Sequence, residues 1–176
     1  MPDIPGFDDW VETLDIDLGE GSGEEDSRRR RAVLMRWLKS LYDSQGPLSK
    51  DLVEIAFVLD QISRAQDNSA VVLRDIERSG RRCPTIEVDD YCNAVRISID
   101  GSYTTPSVWE WENPEALVET AAYIQEQLMD EDVWPECPIH GQYLRPEARG
   151  GTAVWWCVTG DHPVAPVGEL GTASTQ

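Results

Sequence analysis

Cys137, His140, Cys157 and His162 are the residues of this chain whose types and spacing best suit chemistry. They form the pattern C-x2-H-x16-C-x4-H. Both histidines of the chain and two of its four cysteines fall in this stretch. Thiolate sulfur and imidazole nitrogen hold zinc tetrahedrally at ~2.0–2.3 Å, commonly in pairs drawn from short turns. In such a turn Pro often follows the first ligand and Gly the second, as Pro138 and Gly141 do here. Gly relieves the backbone where φ must be positive, and main-chain N–H groups are then free to face the thiolate. Four protein ligands close the coordination shell, so the pattern predicts a structural zinc rather than a reactive one.

The second half of the pattern departs from the usual form. C-x4-H is wider than C-x2-C, and Val158-Thr159 stands where Pro is expected. Asp161 competes with His162 as fourth ligand, or water completes a three-coordinate site. The bland alternative is a ribbon without metal, in which Cys137 and Cys157 are simply buried.

Two strands must position these ligands. Gln142–Arg145 and Thr152–Cys157 read as a hairpin around Gly150-Gly151, which returns Cys157 to the side of the first turn. Residues 133–170 thus read as a zinc-ribbon-like module. The run Trp134-Pro135-x-Cys137-Pro138-x-His140-Gly141, followed by Ala153-Val154-Trp155-x-Cys157 and Val164-Ala165-Pro166-Val167-Gly168-Glu169-Leu170, resembles the C-terminal part of small uncharacterised proteins common in actinobacteria. The resemblance reaches back to the helix expected over 113–132. It implies a discrete module and no particular activity, and it implies a weak or absent fourth ligand, which bears on His162.

Upstream, residues 83–132 read as a β-hairpin plus a helix. Ile86 and Val88, then Val95, Ile97 and Ile99, alternate as in half-buried strands, and Asp100-Gly101 is a hairpin turn signal. A return strand is expected over Tyr103–Glu112, with Pro106 marking an edge or a bulge. Asn113 caps and Pro114 opens a helix whose apolar face is Leu117, Ala121, Ile124 and Leu128. Cys83 and Cys92 lack ligand spacing and read as small apolar residues.

Residues 25–82 read as a helical region. Leu34, Trp37, Leu38, Leu41 and Tyr42 mark one face of a first helix, capped near Asp26 or Ser27 and ended by Gly46-Pro47. A second helix starts at the Ser49 cap with the stripe Leu52, Ile55, Ala56, Leu59 and Ile62, widened by Val53, Phe57 and Val58, and Asp67-Asn68-Ser69 breaks it. A third runs from Ala70 to Ser79, so the three make a small antiparallel bundle. This stretch is similar to helical regions of phage terminase small subunits, without a specific motif. Residues 1–24 carry prolines, glycines and acids between scattered apolar residues and read as an acidic flexible tail. Segments of this kind also order on a partner, or dock on the nearby Arg28-Arg29-Arg30-Arg31. The expected fold class is therefore α+β: an N-terminal helical bundle, a small antiparallel sheet with one packed helix, and a C-terminal zinc-ribbon-like hairpin.

The net charge of −18 is unevenly spread. Residues 1–26 carry −10, residues 27–82 carry +5, and residues 83–176 carry −13. No apolar run approaches the ~18 residues needed to cross a bilayer. The acidic N-terminal stretch lacks the basic and apolar regions of a secretory signal, which predicts a cytoplasmic, reducing location where cysteines favour metal over disulfides. There is no Gly-rich phosphate loop, G-x-S-x-G or H-E-x-x-H, and acids are too widespread for any pair to stand out, so no enzyme is expected. A protein-interaction or adaptor role with a protein partner fits better, with Trp10, Trp109, Trp111, Trp155 and Trp156 as aromatics a partner could use. One alternative is a phage-type inhibitor whose acidic surface imitates DNA toward a nucleic-acid-binding protein. Another is a DNA-binding packaging or regulatory protein using the basic helices of 27–82, with Arg28, Arg29, Arg30 and Arg31 on phosphate. The latter must overcome repulsion from the remaining charge.

Overall fold

The computed structural model describes residues 4–16, 24–91, 94–103, 112, 114–128 and 133–171. Trp109, Trp111, Pro106, Cys92, Asn113 and most of the expected return strand lie outside the described residues. The elements run α1 (Phe7–Leu14), α2 (Glu24–Gln45), α3 (Lys50–Arg78), β1 (Ile86–Tyr91), β2 (Ala94–Ile99), β3 (Ser102–Tyr103), α4 (Glu115–Leu128), β4 (Arg145–Arg149), β5 (Thr152–Cys157) and β6 (His162–Pro166). Among the described residues, helices and two antiparallel three-stranded sheets make an α+β protein, as the sequence predicts. No helix among the described residues is long and apolar enough to cross a membrane. The chain forms two compact units that divide between Leu59 and Asp60, inside α3.

In the first unit, the segment expected to be a flexible tail is in part a helix. Phe7, Trp10 and Leu14 fall at helical spacing on α1, with Asp8 and Asp9 in its first turn, where the helix dipole favours acids. Trp10 and Leu14 are buried. The Trp10 indole N–H donates to the Leu48 carbonyl at 2.7 Å, and the Tyr42 hydroxyl donates to the Pro5 carbonyl at 2.6 Å. Phe7, Trp10 and Tyr42 form one aromatic cluster with centroids 5.3–6.1 Å apart. Three aromatics within reach of each other supply the apolar burial that scattered composition conceals. Through Phe7 and Trp10, α1 thus meets the C-terminal half of α2 at Tyr42. Leu34, Leu38 and Leu41 are buried, as expected of α2, and Trp37 meets Phe57 edge to face at 5.1 Å.

Two helical expectations are corrected. The expected break at Asp67-Asn68-Ser69 does not occur, and α3 runs unbroken from Lys50 to Arg78. None of the three residues is Gly or Pro, and each costs a helix only ~0.5 kcal/mol relative to Ala. Burial of Ala65, Val72 and Ile76 around them outweighs that cost. The expected stripe of the early part of α3 is also misplaced: Val53 is buried, whereas Leu52, Ile55 and Leu59 are more than half exposed.

The second unit has one core, built from α3 (Ala65, Val72, Ile76), β2 (Val95, Ile97, Ile99), α4 (Ala121, Ile124) and the C-terminal hairpins (Trp134, Leu144, Trp155, Val167). Cys137 and Cys157 belong to it. The boundaries drawn at 82 and 132 from the sequence therefore cut through a shared core. In the first sheet β1 pairs with β2 from Ile86↔Ile99 to Tyr91↔Ala94. A two-residue turn at Asp100 (φ 48°) and Gly101 (φ 77°) leads into β3, the positive-φ form that suits strand twist. The Tyr123 hydroxyl of α4 donates to the Ile97 carbonyl at 3.1 Å. The buried face of α4 is Ala116, Thr120, Ala121, Ile124 and Gln125, so Leu117 and Leu128 flank it rather than centre it.

The second sheet has the order β4-β5-β6. Its first strand starts at Arg145, three residues later than expected, because Gln142 and Tyr143 belong to the preceding turn: the Gln142 carbonyl accepts from the Cys137 N–H at 2.8 Å, and Tyr143 bridges to Glu136. Sequence alternation also missed β6, whose two prolines mask a strand that pairs through Val154↔Pro166 to Cys157↔His162. Asp75, fully buried on α3, ties this sheet down. Its carboxylate accepts from the Trp155 indole at 2.7 Å and from the N–H groups of Gly168 at 2.6 Å and Leu170 at 2.7 Å. Gly168 sits against α3 so closely that a Cβ there would meet the Val71 Cγ1 at 2.6 Å.

Candidate metal centre

Two hairpin turns converge at one end of the second sheet. The first is Cys137–Gly141, closed by the Gly141 N–H donating to the Cys137 carbonyl at 2.9 Å. Gly141 has φ 62°, as the motif requires. The second turn joins β5 to β6 and carries Cys157 at one end and His162 at the other. Gln125 on α4 anchors the flanks of the first turn, its amide donating to the carbonyls of Trp134 at 3.0 Å and Leu144 at 2.6 Å.

One ligand atom from each of Cys137, His140, Cys157 and His162 lies within 4.8 Å of all the others, close enough to hold a metal ion. His140 Nδ1 is 3.5 Å from Cys137 Sγ and 3.3 Å from Cys157 Sγ. His162 Nε2 is 3.8 Å from Cys137 Sγ. A sulfur ~2.3 Å and a nitrogen ~2.1 Å from one ion, at the tetrahedral angle, are ~3.6 Å apart. The observed separations bracket that value. Both thiols are buried, His162 is half-buried and His140 is exposed. Asp161, the competing fourth ligand, is exposed at φ 49° and is not among the converging groups. The wider C-x4-H spacing is the span of the β5–β6 turn, and it brings His162 to the cluster.

The surroundings prepare these atoms for a cation. The Pro163 carbonyl lies 2.9 Å from His162 Nδ1. A carbonyl can only accept, so Nδ1 carries the hydrogen and Nε2 keeps its lone pair on the side of the cluster, the usual arrangement behind a metal-bound imidazole. That hydrogen bond raises the His162 pKa, and the Cys137 thiol adds to the rise against the effect of burial. Burial alone would push the Cys137 thiol up. The N–H groups of Ile139 and His140, with hydrogen bonds to His140 and Cys157, outweigh it and bring the pKa down to about 6. The Gly160 N–H donates to Cys157 Sγ at 3.4 Å.

Gly160 is the residue that sequence reasoning passed over. A Cβ on it would lie 2.2 Å from His140 Cε1 and 2.6 Å from His162 Cδ2. The two imidazoles close over a bare backbone, so only Gly fits. Its place in the x4 spacer was the available signal.

Among the remaining candidates the expectation holds in part. Trp155 and Trp156 face opposite sides of β5: Trp155 is fully buried against Trp134, with centroids 5.4 Å apart, while Trp156 is half-buried under the Arg149 guanidinium at 4.5 Å. Trp10 is buried as well, so neither Trp10 nor Trp155 is open to a partner. Cys83 is exposed rather than packed as a small apolar residue. Beside the first turn, an open cavity of about 430 Å³ is lined by Val133, Trp134, Pro138, Val164 and Leu170 with Ser79, Arg81 and Glu136. The Ser79 hydroxyl there is already used, donating to the Ile76 carbonyl and accepting from the Trp134 indole. No family model, curated protein or solved structure matches the chain.

Proposed function

We propose that this chain is a non-enzymatic, acidic protein-interaction or adaptor protein whose C-terminal hairpins are closed by a structural zinc ion on Cys137, His140, Cys157 and His162. The convergence of the four ligand atoms carries the reading. Two thiolates and two imidazoles within one ion's reach suit zinc by softness and by ligand number. Four protein ligands leave no open position for water or substrate, so the ion's work is to hold the two turns together. The one serine lining the adjacent cavity serves structure, which fits a protein that binds rather than transforms. Thiols kept as ligands call for a reducing compartment, and the reading places the protein in the cytoplasm.

Thermal unfolding of the purified protein with and without a strong chelator tests this. Chelation is expected to lower the melting temperature of the second unit, with recovery on adding zinc but not magnesium. An unchanged melting curve after verified metal removal would count against a structural ion.

A further inference from the structure

Among the described residues of the second unit, the large apolar side chains left exposed are Val133, Ile139, Tyr143 and Val158. All four belong to the two turns or their flanks. Ile139 is 73% exposed and precedes His140, and Val158 is 53% exposed and follows Cys157. The ligand atoms of His140 and Cys157 lie 3.3 Å apart, so these two side chains flank one site. Tyr143 joins them through its bridge to Glu136, next to Cys137. The Arg145 guanidinium lies over its ring and donates to its hydroxyl at 2.8 Å, so this edge carries a cation and the acids stand at the two turns. Each turn also carries an exposed acid directly before a ligand: Glu136 before Cys137 and Asp161 before His162. The other large apolar side chains described in the second unit are buried or partly buried, so the unit has no internal reason to gather these four around one centre. Apolar groups rimmed by charge are the pattern of a docking surface, and the rim sets the sign of the partner.

We propose that the paired turns are a docking surface for a protein segment that presents an apolar side chain between basic residues. The apolar side chain packs on Ile139 and Val158 beside the Tyr143 ring, and the flanking Lys or Arg residues face Glu136 and Asp161. Residues 83–176 carry −13, which steers a basic segment toward this region and repels an acidic one. The proposal rests on the adaptor reading above and gives it a surface and a partner chemistry.

The test uses the full chain, ¹⁵N-labelled, with metal content measured on every sample. It is titrated with two synthetic peptides, one with a single Leu between pairs of Lys and one with the same Leu between pairs of Glu. The Lys peptide is expected to shift the amides of Ile139, Tyr143 and Val158 saturably, with affinity at least about tenfold above the Glu peptide. The double variant I139S/V158S, altered only at exposed positions, is expected to retain metal and to lose that binding by a similar factor. Equal affinity for the two peptides, shifts centred elsewhere, or unchanged binding by the double variant overturns the proposal. A sample without metal that still shows the localised shifts supports this surface and refutes the zinc reading. Full metal without localised shifts does the reverse.

Discussion

The indole N–H of Trp155 donates to the carboxylate of Asp75 across eighty residues of chain, at 2.7 Å and in full burial. Trp155 is two residues from Cys157 on the same strand. The same carboxylate receives the N–H groups of Gly168 and Leu170, and Arg78, one turn further along α3, donates to the Gly168 carbonyl. The C-terminal half of α3 is therefore a wall of the hairpins that carry the candidate metal ligands, and the hairpins share its core rather than standing apart at residue 133.

Asp75→Ala should remove the shared acceptor of three N–H donors, which are buried with it or nearly so. Unsatisfied buried donors cost ~1–3 kcal/mol each, and they relax together, so a loss of roughly 3–5 kcal/mol is expected in urea unfolding of the metal-loaded protein. Asp75→Asn keeps one carbonyl oxygen and should cost less. A loss under ~1 kcal/mol for the alanine variant would show that the clamp contributes little.

Gly160→Ala should weaken metal binding while the rest of the fold persists, since its Cβ would overlap the rings of both His140 and His162. Competition with a chromophoric chelator is expected to show at least about a tenfold loss of affinity. Gly101→Ala is the contrast. Its Cβ meets nothing within 4 Å, but φ is +77°, so it should cost ~1 kcal/mol of stability and leave metal affinity unchanged. Equal metal affinity in the two variants would remove Gly160 from the account.

Acidification should release the metal. The Cys137 pKa is lowered from 9.0 to about 6, so its contribution to metal-free stability is complete above about pH 9 and is lost as pH falls through about 6. The raised pKa of His162 acts in the opposite sense: its contribution is complete below 6.5 and is lost as pH rises through the raised value. Metal binding requires thiolate and neutral imidazole, so protons compete at both ligands, and affinity should fall steeply between about pH 7 and about pH 5. Affinity that is flat with pH over that range would argue against thiolate ligation. In the metal-free protein, Cys137→Ser should flatten the pH dependence of stability between 9 and 6.

Val53→Ala should destabilise the first unit by roughly 1–3 kcal/mol, because Val53 is buried. Leu59→Ser, at a position 60% exposed, should lie within ~0.5 kcal/mol of the parent. Chemical denaturation of the two variants checks the orientation of α3, and the reverse ranking would contradict it.

The converging Cys and His cluster was legible because liganding would impose residue type and turn geometry at once. Cys137, Pro138, His140 and Gly141 carry that signature in five positions, and Asp100-Gly101 announces its turn in two. The face of α3 was not legible, because Leu52, Val53, Ile55, Ala56, Phe57, Val58 and Leu59 offer apolar residues on nearly every side, and periodicity has nothing to select. The α1 helix was hidden for a related reason. Phe7 and Trp10 look scattered until Tyr42, far along the chain, completes their cluster. Asp75 resembles any surface acid, and only tertiary structure brings it its three N–H donors. Long-range partners of this kind leave no local pattern.

Metal stoichiometry is the most direct test of the central claim. Elemental analysis of protein purified without chelator should find close to one zinc per chain, and the Cys137→Ser and Cys157→Ser variants should find almost none. Less than roughly 0.3 equivalents of zinc in the unaltered protein, with its thiols shown to be reduced, would contradict the account.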